Sequence, residues 1–204
     1  MKATRISFSL VALAAAIALP LDALAQKKGG APKPGRYTDF HDLDEVTIVQ
    51  PFQLGSYKRV VVQRLNTTNA LLPDPKDNSY AAVKAALANS TEPFAKGVRD
   101  ELKRTNLTVD AGSRGGAGAL VIRARITKSD PGSQAARYFA SFGAGAAKVG
   151  ISGEIVDGAT NKVLARFTQE RRSGFGAFGG GYRELLERNM HQIGGDVAGL
   201  LRAF

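Results

Sequence analysis

The sequence predicts an α/β protein of the α+β kind: a two-layer sandwich with a mixed, mainly antiparallel sheet, two helices on one face, and a signal peptide in front. Three observations predict it. Residues 119–127 alternate, with Leu120, Ile122, Ala124 and Ile126 on one side and Val121, Arg123, Arg125 and Thr127 on the other, as a strand with one buried face requires. Two stretches, 79–104 and 182–204, carry apolar residues at the 3–4 spacing of a one-sided helix. Their order along the chain is strand, helix, short strand, three strands, helix.

Each element follows from local chemistry. Lys2 and Arg5 precede an uncharged run over 6–21, Pro20 ends it, and Ala23-Leu24-Ala25 is a small-x-small cleavage site, so the mature chain is expected to begin at Gln26. The run is closed by Asp22 before it reaches the roughly 20 residues that span a bilayer. Residues 26–45 read as a flexible charged arm, with Lys27, Lys28, Lys33 and Arg36 ahead of Asp39, Asp42, Asp44 and Glu45 around His41. Residues 46–204 form the single folded domain. Val60-Val61-Val62 centres a strand over 57–65, and Pro73, Asp74, Pro75 and Asp77 supply turn chemistry after it.

Pro93 lacks a backbone donor, so the helix over 79–104 should kink or restart there, with Asn89 or Ser90 as a second N-cap. A short strand at 107–110 and a glycine turn at 111–118 lead into the alternating strand. Val149, Ile151 and Ile155 point inward from the next strand, and residues 157–161 turn it into a hairpin partner over 162–171. There Val163, Ala165 and Phe167 are expected on one face, with Leu164, Arg166 and Thr168 on the other. The last helix buries Leu186, Met190, Ile193, Val197 and Leu200 or Leu201, and its Gly194, Gly195 and Gly199 permit close backbone packing against a strand or a second copy.

Composition narrows the chemistry. The 204 residues contain 28 Lys and Arg against 18 Asp and Glu, no cysteine, and two histidines, His41 and His191. Absent cysteine rules out disulfides, thiolate metal sites, a cysteine nucleophile and a lipid anchor on an N-terminal cysteine. Gly174-Phe-Gly-Ala-Phe-Gly179 has the spacing of a dinucleotide loop, but no second parallel strand follows to bring the ribose-binding acid. The glycines at 143–148 have the wrong spacing for a phosphate loop, and Val149 stands where a Ser or Thr would hold a metal. The acids around His41 read as a solvated linker, and Glu154 and Glu170 as members of a cross-strand salt ladder with arginines such as Arg166 or Arg125. No catalytic residue, metal ligand or cofactor site is therefore assigned.

Two surfaces remain. Arg123, Arg125 and Arg166 should share the outer sheet face, which two helices on the other side leave open to an anion. Tyr138, Phe139 and Phe142, with Phe175 and Phe178 in the second glycine-rich loop, are candidates for an apolar partner surface. The anion face has none of the interleaved aromatics that stack bases, so nucleic acid is not the expected partner.

The stretch from Arg137-Tyr-Phe-Ala-Ser-Phe-Gly-Ala-Gly to Val149, followed by Gly153-Glu-Ile-Val-Asp157, Thr160 and Lys162-Val-Leu164, resembles a Gram-negative envelope family known as domain of unknown function 4410. The resemblance is strongest over 120–171, and it assigns no catalytic or ligand residue. It implies a bacterial periplasmic protein without enzymatic activity; many members look like envelope lipoproteins, from which this chain departs by lacking the cysteine. The expected function is an exported, non-catalytic binding or assembly module that meets an envelope protein, a membrane surface or a second copy of itself. The alternative is a basic protein that binds polyanions such as anionic lipid, glycan or nucleic acid. A hydrolytic enzyme ranks third.

Overall fold

The computed structural model describes residues 31–112, 114–132, 146–173 and 181–204. Its sheet has seven strands: β1 (Gly35–Phe40), β2 (Leu43–Ile48), β3 (Arg59–Val62), β4 (Thr108–Ala111), β5 (Ala119–Asp130), β6 (Ala147–Asp157) and β7 (Val163–Ser173). Their spatial order is β1-β2-β7-β6-β5-β3-β4. Neighbours from β1 through to β5 are antiparallel, whereas β3 is parallel to both β5 and β4. The helices of the described residues are α1 (Tyr80–Ala88), α2 (Thr91–Leu102) and α3 (Tyr182–Arg202). The fold is the mixed, mainly antiparallel α+β sandwich that alternation and helical periodicity predict.

One core joins the three helices to the inner face of the sheet. Leu120, Ile122 and Ile126 of β5 meet Ile151 and Ile155 of β6, Phe167 of β7, and Met190, Ile193 and Val197 of α3, each at most 1% exposed. Fully burying side chains of this size stabilises by roughly 1.5–3 kcal/mol each. The helical stretch over 79–104 divides at Asn89-Ser90, ahead of Pro93, which sits in the first turn of α2 where no intrahelical donor is needed. Ser90 does not cap through its side chain. It has helical dihedrals, and its hydroxyl donates backwards to Leu87 O at 2.7 Å.

Several sequence expectations shift. The charged arm does not extend to residue 45: β1 and β2 form an edge hairpin, with Phe40 paired to Leu43 across a two-residue turn. His41 and Asp42 occupy that turn with φ of 51° and 64°, the left-handed pair that a tight hairpin turn demands and that glycine usually supplies. Leu43, Val46 and Ile48 are buried, so the hairpin is secured by core contacts despite its charged sequence.

In β7 the expected alternation breaks. The register slips between Ile155 and Val156, Leu164 joins Ala165 in the core, and Val163 moves to a small cluster with Val61, Ala119, Val121 and Val156 on the opposite face. The extra residue is a bulge, and Leu164 O accepts from both Val49 N and Gln50 N at 2.8 and 3.1 Å. The glycines of α3 do not serve a strand either. Gly194 packs against α2, Gly199 lies beside His41, and a Cβ at Gly195 would face open space although its backbone N borders Gly97.

A short return that includes Gly112 and residues 114–118 brings the chain from the end of β4 back to the start of β5. Gly112 and Gly118 take φ of 80° and 70°, conformations closed to most side chains. The return folds over the outer valine cluster, with Gly115 against Val121 and Gly116 against Gly158. It covers one end of the outer face.

Candidate binding groove on the open sheet face

Beyond that return the described residues leave the outer face uncovered. Cross-strand pairing sets its side chains in two rows: Arg123, Glu154, Arg166 and Thr47 in one, Arg125, Ser152, Thr168 and Glu45 in the next. These eight residues line a depression of about 610 Å³. Its wall on the β3 side is an irregular stretch, because four residues, Gln63 to Asn66, span the distance covered by Ile122 to Ala124 on β5. Gln63 N donates to Ile122 O and Asn66 N to Ala124 O, both at 3.0 Å. The surplus chain loops out, with Leu65 turned into the core and its N–H bonded to Thr91 Oγ1 at 3.0 Å, while Arg64 stays exposed at the rim.

The floor is close-packed. Phe167 is buried beneath Gly153, and a Cβ added at Gly153 would strike the ring at 2.5 Å and Arg123 O at 2.7 Å. Glycine is therefore required there by space, and the ring replaces the side chain that the position lacks.

Arg64, Arg123, Arg125 and Arg166 share the groove with Glu45 and Glu154. Arg166 Nε donates to Glu154 Oε1 at 3.0 Å, and Arg36 pairs with Glu45 from the edge strand. Arg125 Nε donates to Ser152 Oγ at 3.1 Å, and Arg123 donates to Asn161 Oδ1. Two guanidiniums are thus held by neutral acceptors and keep their full charge uncompensated by these bonds. The groove presents positive charge among hydroxyl and amide groups, the chemistry of anion recognition.

Arg123, Arg125 and Arg166, the arginines to which sequence alternation points, lie together on this face, opposite the helices. Gln63 and Arg64, at the end of the strand read over 57–65, and Asn66, in the turn-rich stretch after it, were not singled out from sequence, since nothing local signals that they will border β5. Glu154 and Glu170 are held by Arg166 and Arg172, the latter pair at 3.2 Å. Tyr138, Phe139, Phe142, Phe175 and Phe178 lie outside the described residues.

A second depression, of about 710 Å³, lies on the helix side and contains both histidines. His191 Nε2 stands 2.9 Å from Asp100 Oδ2. That contact, with Lys96 at the same carboxylate, brings Asp100 down to about 2. Deeper in, Arg171 of β7 makes a forked contact to Asp196 of α3, with Nε at 3.0 Å and Nη2 at 2.6 Å. Burial raises the Asp196 carboxyl above its ordinary value against the pull of Arg171, and Asp42 and Asp44 push in the same direction as burial. Asp42, Asp100, Glu101 and Asp196 offset Lys103, Arg171 and Arg202 in this depression, so it lacks the arginine excess of the sheet face. No helix among the described residues is long and apolar enough to cross a membrane.

Residues 60–177, more than half of the chain, match the family described as "Domain of unknown function (DUF4410)". No curated protein matches the chain. Among solved structures, it is similar to a PelC dodecamer from Paraburkholderia phytofirmans at 12% identity, covering 74% of this chain and 96% of that one with a TM-score of 0.44. It is also similar to a Xanthomonas campestris protein of family DUF330 at 13% identity, covering 72% and 85% of the two chains with a TM-score of 0.40.

Proposed function

We propose that this chain, which belongs to the DUF4410 family, is an exported, non-catalytic binding module of the cell envelope that holds an anionic ligand on the open face of its sheet. The observation that carries this reading is the groove over β2, β7, β6 and β5, where four arginines outnumber two glutamates on a face that none of α1, α2 and α3 covers. Support for a binding role in place of catalysis comes from those glutamates. Each is engaged by an arginine, Glu45 by Arg36 and Glu154 by Arg166, in the manner of a structural ladder. Support for export comes from the leader-like residues 1–25, with Lys2 and Arg5, the apolar run and the Ala23-x-Ala25 site.

The test is a salt titration. Charge-driven association with a polyanion weakens steeply as salt rises, because bound counterions are released on association. Heparin retention of the purified protein should fall across 50–200 mM salt (about that range), and Arg123→Ala with Arg125→Ala should reduce both the retention and the slope. Salt-insensitive binding, or a double variant that binds as the parent does, would overturn the assignment of the groove. Export is tested separately, by N-terminal sequencing of protein recovered from the periplasmic fraction, with Gln26 expected as the first residue.

A further inference from the structure

We infer that the ligand of the groove is an acidic polysaccharide whose uronate carboxylates meet the arginines while its hydroxyls meet the polar groups between them. This rests on the anion-binding reading above and names the class of ligand within it.

The distribution of charge points to a polymer. Arg123 and Arg125 are two residues apart on one strand, about 7 Å along it, and Arg166 is two strands away, about 9.5 Å across the sheet. Their guanidiniums are held apart as well, Arg123 on Asn161, Arg125 on Ser152 and Arg166 on Glu154, so one small anion would draw all three together only by breaking those bonds. A chain with a charge on successive units can engage all three, each carboxylate taking a forked pair of bonds from one guanidinium.

The groups between the charges point to a sugar. Thr47, Ser152 and Thr168 place hydroxyls within the two rows, and Gln63 and Asn66 place amides along the wall. These groups both donate and accept, which suits a ligand dense in hydroxyls.

Other polyanions fit this surface poorly. Phe167 is the one aromatic ring lining the groove among the described residues, and it is buried beneath Gly153, so none of those residues offers an exposed ring to stack a base. An acidic peptide would meet the same arginines, but a chain of Asp and Glu carries no hydroxyls for Thr47, Ser152 and Thr168 to bond, which makes polyglutamate the discriminating probe. A bilayer is broad and cannot enter a depression. Among the described residues the large exposed hydrophobics are Val49 and Leu71, neither of which lines the groove to insert between lipids.

The experiment measures binding of the purified protein to polygalacturonate, to its methyl ester, to polyglutamate, to oligo-dT and to vesicles containing phosphatidylglycerol, all at one ionic strength. Expected is binding to polygalacturonate that is lost on esterification and exceeds binding to the other three probes by about tenfold or more. Arg125→Lys, which keeps the charge and removes the fork, should weaken polygalacturonate binding several-fold, while Arg202→Ala on the helix side should leave it unchanged. Equal or stronger binding to polyglutamate, oligo-dT or vesicles would overturn the polysaccharide assignment and leave the anion-binding reading in place. Failure to bind every probe would overturn both.

Discussion

Gly97 of α2 and Gly194 of α3 let the two helices touch backbone to backbone: a Cβ at Gly97 would collide with His191 O, and one at Gly194 with Phe94 O. The contact lies beside Phe94, Val98, Met190 and Val197, all 0% exposed, so the helices cannot separate without opening the core. Gly194→Ala should therefore destabilise the protein, at or beyond the upper end of the roughly 1–3 kcal/mol typical of overpacking, because the obstacle is main chain. Gly195→Ala, whose added Cβ would meet no atom within 4 Å, should be neutral or stabilise by up to about 1 kcal/mol through helix propensity. Urea melts of the two variants check the contrast. Equal effects at both positions would mean that the helices pack differently.

The pair of Arg171 and Asp196 gives a pH prediction. Asp196 is 9% exposed and Arg171 28%, so removing the cation leaves a carboxylate largely out of water. Arg171→Met should cost roughly 2–4 kcal/mol at neutral pH, less than for a wholly buried pair because the arginine reaches solvent. The carboxyl is already raised by burial, and losing Arg171 raises it further. For an acid raised on folding, the folded state binds the proton more tightly. Stability is then greatest below the unfolded value and declines as pH climbs to the folded one. The Arg171→Met protein should accordingly regain part of its lost stability on acidification, relative to Asp196→Asn with the same Arg171→Met change. Parallel stability–pH curves for the two would remove Asp196 as the cause.

The turn at His41 and Asp42 carries unused strain. Both residues sit at positive φ, where an L side chain pays roughly 1–2 kcal/mol, and Asp42 adds a negative charge near the raised carboxyl of Asp196. Asp42→Gly should relieve both and raise stability by a few tenths to about 1 kcal/mol. A lower melting temperature would show that Asp42 has a favourable contact outweighing its strain.

That same turn shows where sequence reading reaches its limit. Strand β5, the β6–β7 hairpin and the stripe of α3 are legible because each repeats its pattern over many residues. The turn at 157–161 is legible too, with Asp157 Oδ1 accepting from Thr160 N and Oγ1 at 2.7 and 2.8 Å. The β1–β2 hairpin is not, since His41-Asp42 lacks the glycine that marks such turns and Asp42, Asp44 and Glu45 mask Leu43, so that the folded domain reads as starting only at Val46. The groove is half legible for the same reason. Arg123, Arg125 and Arg166 follow from alternation along strands. Arg64 and Asn66 depend on a long-range pairing with β5 that no local period encodes.

Glu154 separates a ladder from a catalytic acid. It stands between Arg123 and Arg166 in the register, accepts from Arg166 Nε at 3.0 Å, and contributes one of the two negative charges in the groove. With Arg166 54% and Glu154 37% exposed, the pair belongs to the class of surface bridges worth about 0–1 kcal/mol. Glu154→Gln should then change stability by no more than that, since the amide oxygen still accepts from Arg166. Its effect on the ligand should be larger and of opposite sign to that of a lost catalytic group. Removing a negative charge frees Arg166 for an incoming carboxylate, so affinity for polygalacturonate should rise several-fold and the salt dependence should steepen. Binding isotherms of parent and variant at two salt concentrations decide it. Weaker binding by the variant would mean that Glu154 itself contacts the ligand, and the anion assignment of the groove would have to be abandoned.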